Sequence, residues 1–226
     1  MKTIWVLQHT EAEYLGLLED HFEGRNLRFR YFRPFAAGGM VPEIPGTADG
    51  LILLGAGPYG VTSGHILPSL GPEMRLTRAF LAAGLPVLGL ELGALILAAA
   101  CGQGVEDAPL RFQVLDATST PAFDAAPQHM PLACYLRDRV VLRPDMPVLM
   151  TGPGAEVLAF GEPGKTLGIL GHPGMKRGMA EDLIMEFAET PDDTLTGLTD
   201  LNLTQMAIAE ALGPLMVAMT RHLGCM

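Results

Sequence analysis

The stretch PVLGLELGALILAA, residues 86–99, decides the fold. It opens with an apolar run of the kind found in a strand covered on both faces, passes through Gly-Leu-Glu-Leu-Gly, and continues as an apolar helix. A strand that turns directly into a helix between two such glycines holds the middle side chain in a strained position, beside free N–H groups of the helix start. The sequence therefore predicts a nucleophile elbow with Glu91 at its apex.

The segments around this elbow predict an α/β fold. Four apolar or alternating runs are typical of strands: TIWVLQH, LRFRYF, GLILLG and PVLGL. Helical spacing predicts helices over residues 14–22 and 73–83. Strands that alternate with helices indicate a parallel sheet with helices on both sides. From Arg111 onward, shorter strand-like pieces separated by Pro and Gly predict an antiparallel meander added to that sheet.

The C-terminal region is expected to follow the domain as a separate piece. The stretch TPDDTLTGLTD, residues 190–200, has the composition of a linker. The apolar run over residues 206–219 predicts a helix that packs on the domain or on a partner subunit, and it is too short and too interrupted to span a bilayer. We therefore expect one domain over residues 1–190, and a linker with a C-terminal helix over residues 191–226.

Composition restricts the class of partner. The 226 residues include 15 Lys and Arg against 25 Asp and Glu, a net charge of -10, which argues against nucleic-acid and anionic-membrane binding. The three cysteines lack the close spacing of metal or redox motifs, and their odd number fits poorly with a disulfide framework. The N-terminus lacks the pattern of a signal peptide. We expect a cytoplasmic protein without metal or cofactor.

Three segments, in order along the chain, carry a resemblance to a known family. They are DGLILLGAGP at residues 49–58, the elbow with its helix, and LGILGHPG at residues 167–174. Together they resemble the class I glutamine amidotransferases. Over residues 1–189 the resemblance implies a three-layer α/β/α, flavodoxin-like fold with a mostly parallel central sheet, and it assigns His172 to the position of the catalytic base. It implies an oxyanion or ligand-binding site made of Gly55, Ala56, Gly57, Leu92 and Gly93.

The chain departs from this family at two catalytic positions. Where the family has Cys-Leu-Gly-x-Gln, this chain has Glu-Leu-Gly-Ala-Leu, so Glu91 replaces the nucleophile. Where the family has His-Pro-Glu, Gly174 replaces the acid that orients the histidine. A carboxylate is a far poorer nucleophile toward an amide than a thiolate, and its adduct would be a high-energy anhydride. Glutamine hydrolysis is therefore not expected.

Two functions remain open from the sequence. In the first, the Glu91 carboxylate lies near the oxyanion amides and pairs with protonated His172, and the protein acts by binding. It would then be a non-hydrolytic regulatory subunit of a larger enzyme, or a homodimer, with a small-molecule ligand at the elbow pocket. In the second, Glu91 and His172 form the acid–base or nucleophile pair of a repurposed hydrolase or transferase. The alternative without function is a remnant carboxylate, stabilised by the helix dipole.

These alternatives differ in the geometry that they require. A Glu91 carboxyl within hydrogen-bond reach of His172 and facing an open pocket favours the enzyme, whereas a filled and dry site favours the binding role.

Overall fold

The computed structural model describes residues 2–62 and 64–225. Its strands are β1 (Lys2–Leu7), β2 (Leu27–Phe32), β3 (Gly50–Leu53), β4 (Tyr59–Gly60), β5 (His65–Ile66), β6 (Val87–Leu90), β7 (Gly104–Glu106), β8 (Arg111–Ser119), β9 (His129–Leu136), β10 (Arg139–Val141), β11 (Val148–Thr151), β12 (Val157–Phe160) and β13 (Thr166–Ile169). Its α-helices are α1 (Leu18–Glu23), α2 (Leu70–Ala82), α3 (Leu92–Ala100), α4 (Arg177–Glu186) and α5 (Thr194–His222). A short 3-10 helix covers Pro153–Ala155.

One nine-stranded sheet has the order β2-β1-β3-β6-β13-β12-β11-β8-β9. Its first five strands pair in parallel. The remaining four pair antiparallel, and they form the meander. Strands β7 with β10, and β4 with β5, make two small separate sheets. The predicted α/β fold, with a parallel sheet and an antiparallel addition, is confirmed.

Helices cover both faces of the sheet. In β1, Ile4 and Val6 point into a core shared with α1 and α5. The alternate residues Trp5 and Leu7 point into a second core, shared with α2 and α3. Because strand side chains alternate between faces, a strand buried on both sides must be apolar throughout, as β3 and β6 are. The carboxyl edge of the parallel strands is therefore the natural place for a site.

The first helix is shorter than predicted. Helical spacing begins at residue 14, but α1 begins only at Leu18. Gly16 lies in the left-handed region with φ 61° and touches the main chain, since a Cβ there would lie 2.3 Å from the carbonyl oxygen of Gly174. Residues 8–17 consequently form a loop that remains at the carboxyl edge of the sheet.

The C-terminal helix begins earlier than the predicted linker allows. Helix α5 starts at Thr194, so non-helical chain between α4 and α5 is confined to residues 187–193. The Asp193 carboxylate accepts a hydrogen bond from the main-chain N–H of Phe112 in β8, at 2.8 Å. A Cβ on Gly197 would lie only 2.4 Å from the carbonyl oxygen of Phe112. Close packing against β8 therefore begins within the segment that the composition assigned to a linker.

Helix α5 is long and apolar enough to cross a membrane, judged by length and mean hydropathy alone. It nevertheless packs one side on β8 and β9 and buries residues such as Leu212, Leu215 and Met216 in the core. This burial is typical of the core helix of a folded domain.

Candidate active site

The elbow forms at the predicted position, with Glu91 between β6 and α3. The Glu91 backbone is left-handed, with φ 51° and ψ -119°, a conformation that costs energy for any residue with a side chain. Both flanking glycines are required by contact. A Cβ on Gly89 would lie 2.4 Å from the carbonyl oxygen of Gly93, and a Cβ on Gly93 would lie 2.2 Å from that of Leu53. A carboxyl group, not a thiol, is at the apex.

The Glu91 side chain is completely buried. Its Oε1 accepts a hydrogen bond from the main-chain N–H of Tyr135 at 3.0 Å. Its Oε2 and Oε1 of Glu13 have no other partner within residues 2–62 and 64–225, and the two side chains hydrogen-bond to each other. Burial, together with the charge and the hydrogen bond of Glu13, raises the pKa of Glu91 well above its ordinary value. Glu91 is therefore the protonated partner, and it donates to Glu13.

Glu13 completes this carboxyl pair, which is the name used below for Glu13 and Glu91. Its Oε2 accepts a hydrogen bond from the main-chain N–H of Gly57 at 2.7 Å. Burial raises the pKa of Glu13 to about 7, against the opposing effects of the hydrogen bonds from Glu91 and Gly57. A Cβ on Gly55 would lie 2.1 Å from a Glu13 oxygen and 2.5 Å from a Glu91 oxygen. Only glycine at position 55 leaves room for the pair.

The predicted oxyanion residues surround this pair, but some of their donors are taken. The Gly57 N–H binds Glu13, as described above. The Gly93 N–H donates to the carbonyl oxygen of Leu54 at 3.1 Å, because the turn presses α3 against the end of β3. Ala56 and Leu92 are buried. The assignment of Gly93 as an oxyanion donor is therefore corrected: its N–H supports the turn.

His172 is buried and bonded to the main chain on both sides. One ring nitrogen, Nε2, lies 2.7 Å from the carbonyl oxygen of Tyr14, and Nδ1 lies 3.2 Å from the N–H of Gly174. These neighbours fix the neutral tautomer, with the proton on Nε2. Burial lowers the pKa of His172 to about 4. Since the Glu91 oxygens bind Tyr135 and Glu13 instead, the predicted pairing of Glu91 with protonated His172 is wrong.

Strand β9 brings the two predicted catalytic residues near each other without contact. Its Ala133 carbonyl accepts a hydrogen bond from the main-chain N–H of His172 at 2.7 Å, and its Tyr135 N–H binds Glu91. Ala133 and Tyr135 are two residues apart, a separation of about 7 Å along a strand. The sheet therefore curls so that the outer edge of its last strand lies over the ends of β6 and β13.

A second buried network, which the sequence analysis did not identify, supports the loop at Gly55. His9 Nδ1 lies 2.8 Å from the carbonyl oxygen of Gly55, and its Nε2 lies 2.8 Å from the Glu73 carboxylate. Ser69 donates to the other Glu73 oxygen at 2.5 Å. Burial lowers the pKa of His9, but the charge and hydrogen bond of Glu73 outweigh this effect and leave it raised. Both ring nitrogens face acceptors, so His9 is an imidazolium.

These missed residues had one available signal. His9 and Glu13 come directly after β1, a parallel strand, and its carboxyl end lies at the same sheet edge as that of the elbow strand. Polar residues after any strand of this set were candidates for the site.

No open pocket coincides with the elbow in the described part of the chain. A groove of about 760 Å³ runs past Arg111, Leu136 and Glu156, and neither Glu91 nor His172 lines it. The predicted small-molecule pocket at the elbow is filled by Glu13. Among the described residues, no group of three or more His, Cys, Asp or Glu side chains is placed to hold a metal ion. Burial raises the pKa of the Cys134 thiol to about 12, so this cysteine is no substitute nucleophile.

Solved structures share this architecture. A glutamine amidotransferase from Methylobacillus flagellatus superposes with a TM-score of 0.79 at 18% identity, over 96% of this chain and 94% of its own. This is the fold of the glutamine amidotransferases. Another glutamine amidotransferase, from Thermotoga maritima, gives 0.78 at 21% identity, over 98% of both chains.

A third neighbour is described as part of a larger enzyme. It is a GMP synthase subunit from Thermoplasma acidophilum, with a TM-score of 0.60 at 16% identity, over 91% of this chain and 98% of its own. No protein-family model matches the chain. No curated protein matches it in sequence. The class I amidotransferase-like fold predicted from three short segments is therefore supported by structure.

Proposed function

We propose that this chain is an amidotransferase-like protein that has lost glutamine hydrolysis and acts by binding, as a regulatory subunit of a larger enzyme or as a homodimer. One observation carries the proposal: the apex of the elbow is a buried carboxyl group, hydrogen-bonded to Glu13. Glu13 in turn uses the Gly57 N–H that the resemblance assigned to the substrate oxyanion. The site is thus filled by the protein's own side chains.

The chemistry of the site supports this interpretation. A protonated Glu91 has no charge with which to attack, and even the carboxylate would form an anhydride from an amide. His172 gives its Nε2 proton to the Tyr14 carbonyl and lacks an acid partner. In a catalytic triad, losing the orienting acid alone costs about four orders of magnitude in rate. The repurposed hydrolase or transferase, which needs Glu91 and His172 to work together, has no supporting contact.

The direct test is ammonia release from glutamine by the purified protein. We expect no release above that of Glu91→Ala. We also expect Glu91→Cys to remain inactive, because a thiol at the apex would still lack a charged or oriented histidine. Steady release by the wild type that disappears in Glu91→Ala contradicts the proposal.

The regulatory role is tested by the size of the native assembly. The chain has a mass of 24.1 kDa, and we expect the endogenous protein to elute from size exclusion in a larger, defined complex or as a dimer. A solitary monomer at native concentration contradicts the subunit role. A cytoplasmic location is part of the proposal, supported by three free cysteines within the described chain. Nucleic acid and membrane are not proposed as partners of a chain with a net charge of -10.

A further inference from the structure

A short segment after α4 covers the elbow site from outside. We call residues 187–189 the strap. The Phe187 ring packs edge-on against Tyr59, with ring centres 5.8 Å apart. It also fills the space beside Gly57, where a Cβ would lie 2.7 Å from the ring. At the other end of the strap, Glu189 forms an ion pair with Arg137.

Arg137 fastens the strap to the same loop. Its Nε donates to the carbonyl oxygen of Pro58 at 3.0 Å, and its guanidinium fills the space beside Gly64. The loop that carries Gly57 and Pro58 is therefore held from outside by the strap and from inside by Glu13. Any movement of the Glu13 carboxylate is transmitted to the surface on which the strap rests.

The inner contact depends on one proton. Oε1 of Glu13 and Oε2 of Glu91 have no partner but each other in the described chain, so both are satisfied only while a proton lies between them. With that proton gone, two carboxylates would face each other in a site that excludes water, where charge repulsion is least screened.

The surroundings offer little to offset a second charge. His9 is the cation whose field reaches Glu13, and it is already paired with Glu73. Glu186, at the end of α4, adds a further negative charge that acts on Glu13. The titratable and charged groups that face the carboxyl pair or the strap are His9, Glu11, Glu73, Cys134, Tyr135, Arg137, Glu186 and Glu189.

We propose that the proton shared by Glu13 and Glu91 is a latch, which holds the strap closed over the elbow and releases it when the proton is lost. Release separates the two carboxylates, withdraws Glu13 from the Gly57 N–H, and loosens the seat of Phe187. The elbow is then open to solvent. The latch rests on the proposed function in one respect, that the elbow is a closed site, and it adds the condition that opens this site.

Hydrogen exchange of the intact chain tests the latch, read by mass spectrometry on peptides that cover residues 55–60 and 183–190. After correction for the intrinsic pH dependence of exchange, we expect these wild-type peptides to exchange about tenfold faster at pH 8.5 or so than at about pH 5.5. Glu91→Gln should abolish this increase, because its amide donates to Glu13 at every pH. Glu181→Gln, on the exposed side of α4 where Glu181 pairs with Arg177, should retain it.

Two results overturn the latch: wild-type protection that is the same at both pH values, or an increase that persists in Glu91→Gln. If Glu91→Gln does not fold, Glu13→Gln is used with the same expectation, since its amide can accept from Gly57 and donate to Glu91. The outcome is separable from the proposed function. Ammonia release contradicts only the loss of hydrolysis, whereas an unresponsive strap in an inactive protein contradicts only the latch.

Discussion

The carboxyl pair should make Glu91→Gln a stabilising substitution at alkaline pH. Burial raises the pKa of Glu13 from 4.5 to about 7. Well below pH 4.5 both folded and unfolded states hold the proton, so the pair costs nothing. Between these values the folded state retains a proton that the unfolded state releases, so stability falls as pH rises, and the full cost applies above about pH 7. At about 1.36 kcal/mol per pKa unit, this cost is about 3 kcal/mol.

In Glu91→Gln the amide oxygen can accept from the Tyr135 N–H, and the amide N–H can donate to Glu13 without a titrating proton. Urea unfolding at about pH 5 and about pH 8.5 should give the variant nearly wild-type stability at the lower pH and an advantage of about 2–3 kcal/mol at the higher. Other titrating groups, including His172, are common to both proteins and cancel in the difference. Glu181→Gln serves as the control and should follow the wild type. A variant that follows the wild type at both pH values, or is less stable at pH 8.5, would refute the shared proton.

Three further outcomes are expected. The imidazole of His172 should titrate near pH 4 by NMR in the folded protein, and its burial should remove stability as pH falls from 6.5 through about 4; a midpoint above 6 contradicts the buried neutral ring. Gly93→Ala should cost about 1–3 kcal/mol or more, because its Cβ would lie 2.2 Å from a main-chain oxygen, whereas Gly213→Ala, with open space around it in α5, should be neutral or slightly stabilising in thermal unfolding. Glu73→Ala should cost about 3–5 kcal/mol by stranding a buried imidazolium, against less than about 1 kcal/mol for Glu181→Ala; equal losses in a denaturant titration would count against the buried ion pair.

The elbow was predictable because its cause is local. Two glycines with an apolar strand before them and an apolar helix after them leave few other conformations, and the contacts at Gly89 and Gly93 show why each is needed. The order of strands and helices was also readable, since runs such as GLILLG are too apolar for a strand with a wet face. In both cases the signal lies within a short run of consecutive residues.

The partner of Glu91 was not predictable in the same way. Glu13 lies far earlier in the chain, in a segment whose helical spacing is interrupted by the left-handed backbone of Gly16. Its role depends on a tertiary contact with Gly57 and on burial, neither of which leaves a periodic pattern. His172 was located correctly in the sequence, but its hydrogen bonds go to the Tyr14 and Gly174 main chain, and main-chain partners have no residue signature.

The seating of α5 has a practical consequence for anyone who shortens or fuses this protein. A cut at residue 190 would remove the Asp193 carboxylate from the Phe112 N–H and strip a helix from β8 and β9, leaving apolar strand surface bare to water. Such a fragment should aggregate rather than behave as a minimal domain. A tag or fusion partner is better attached after residue 225, beyond the last turn of the helix, where the chain has already left the sheet.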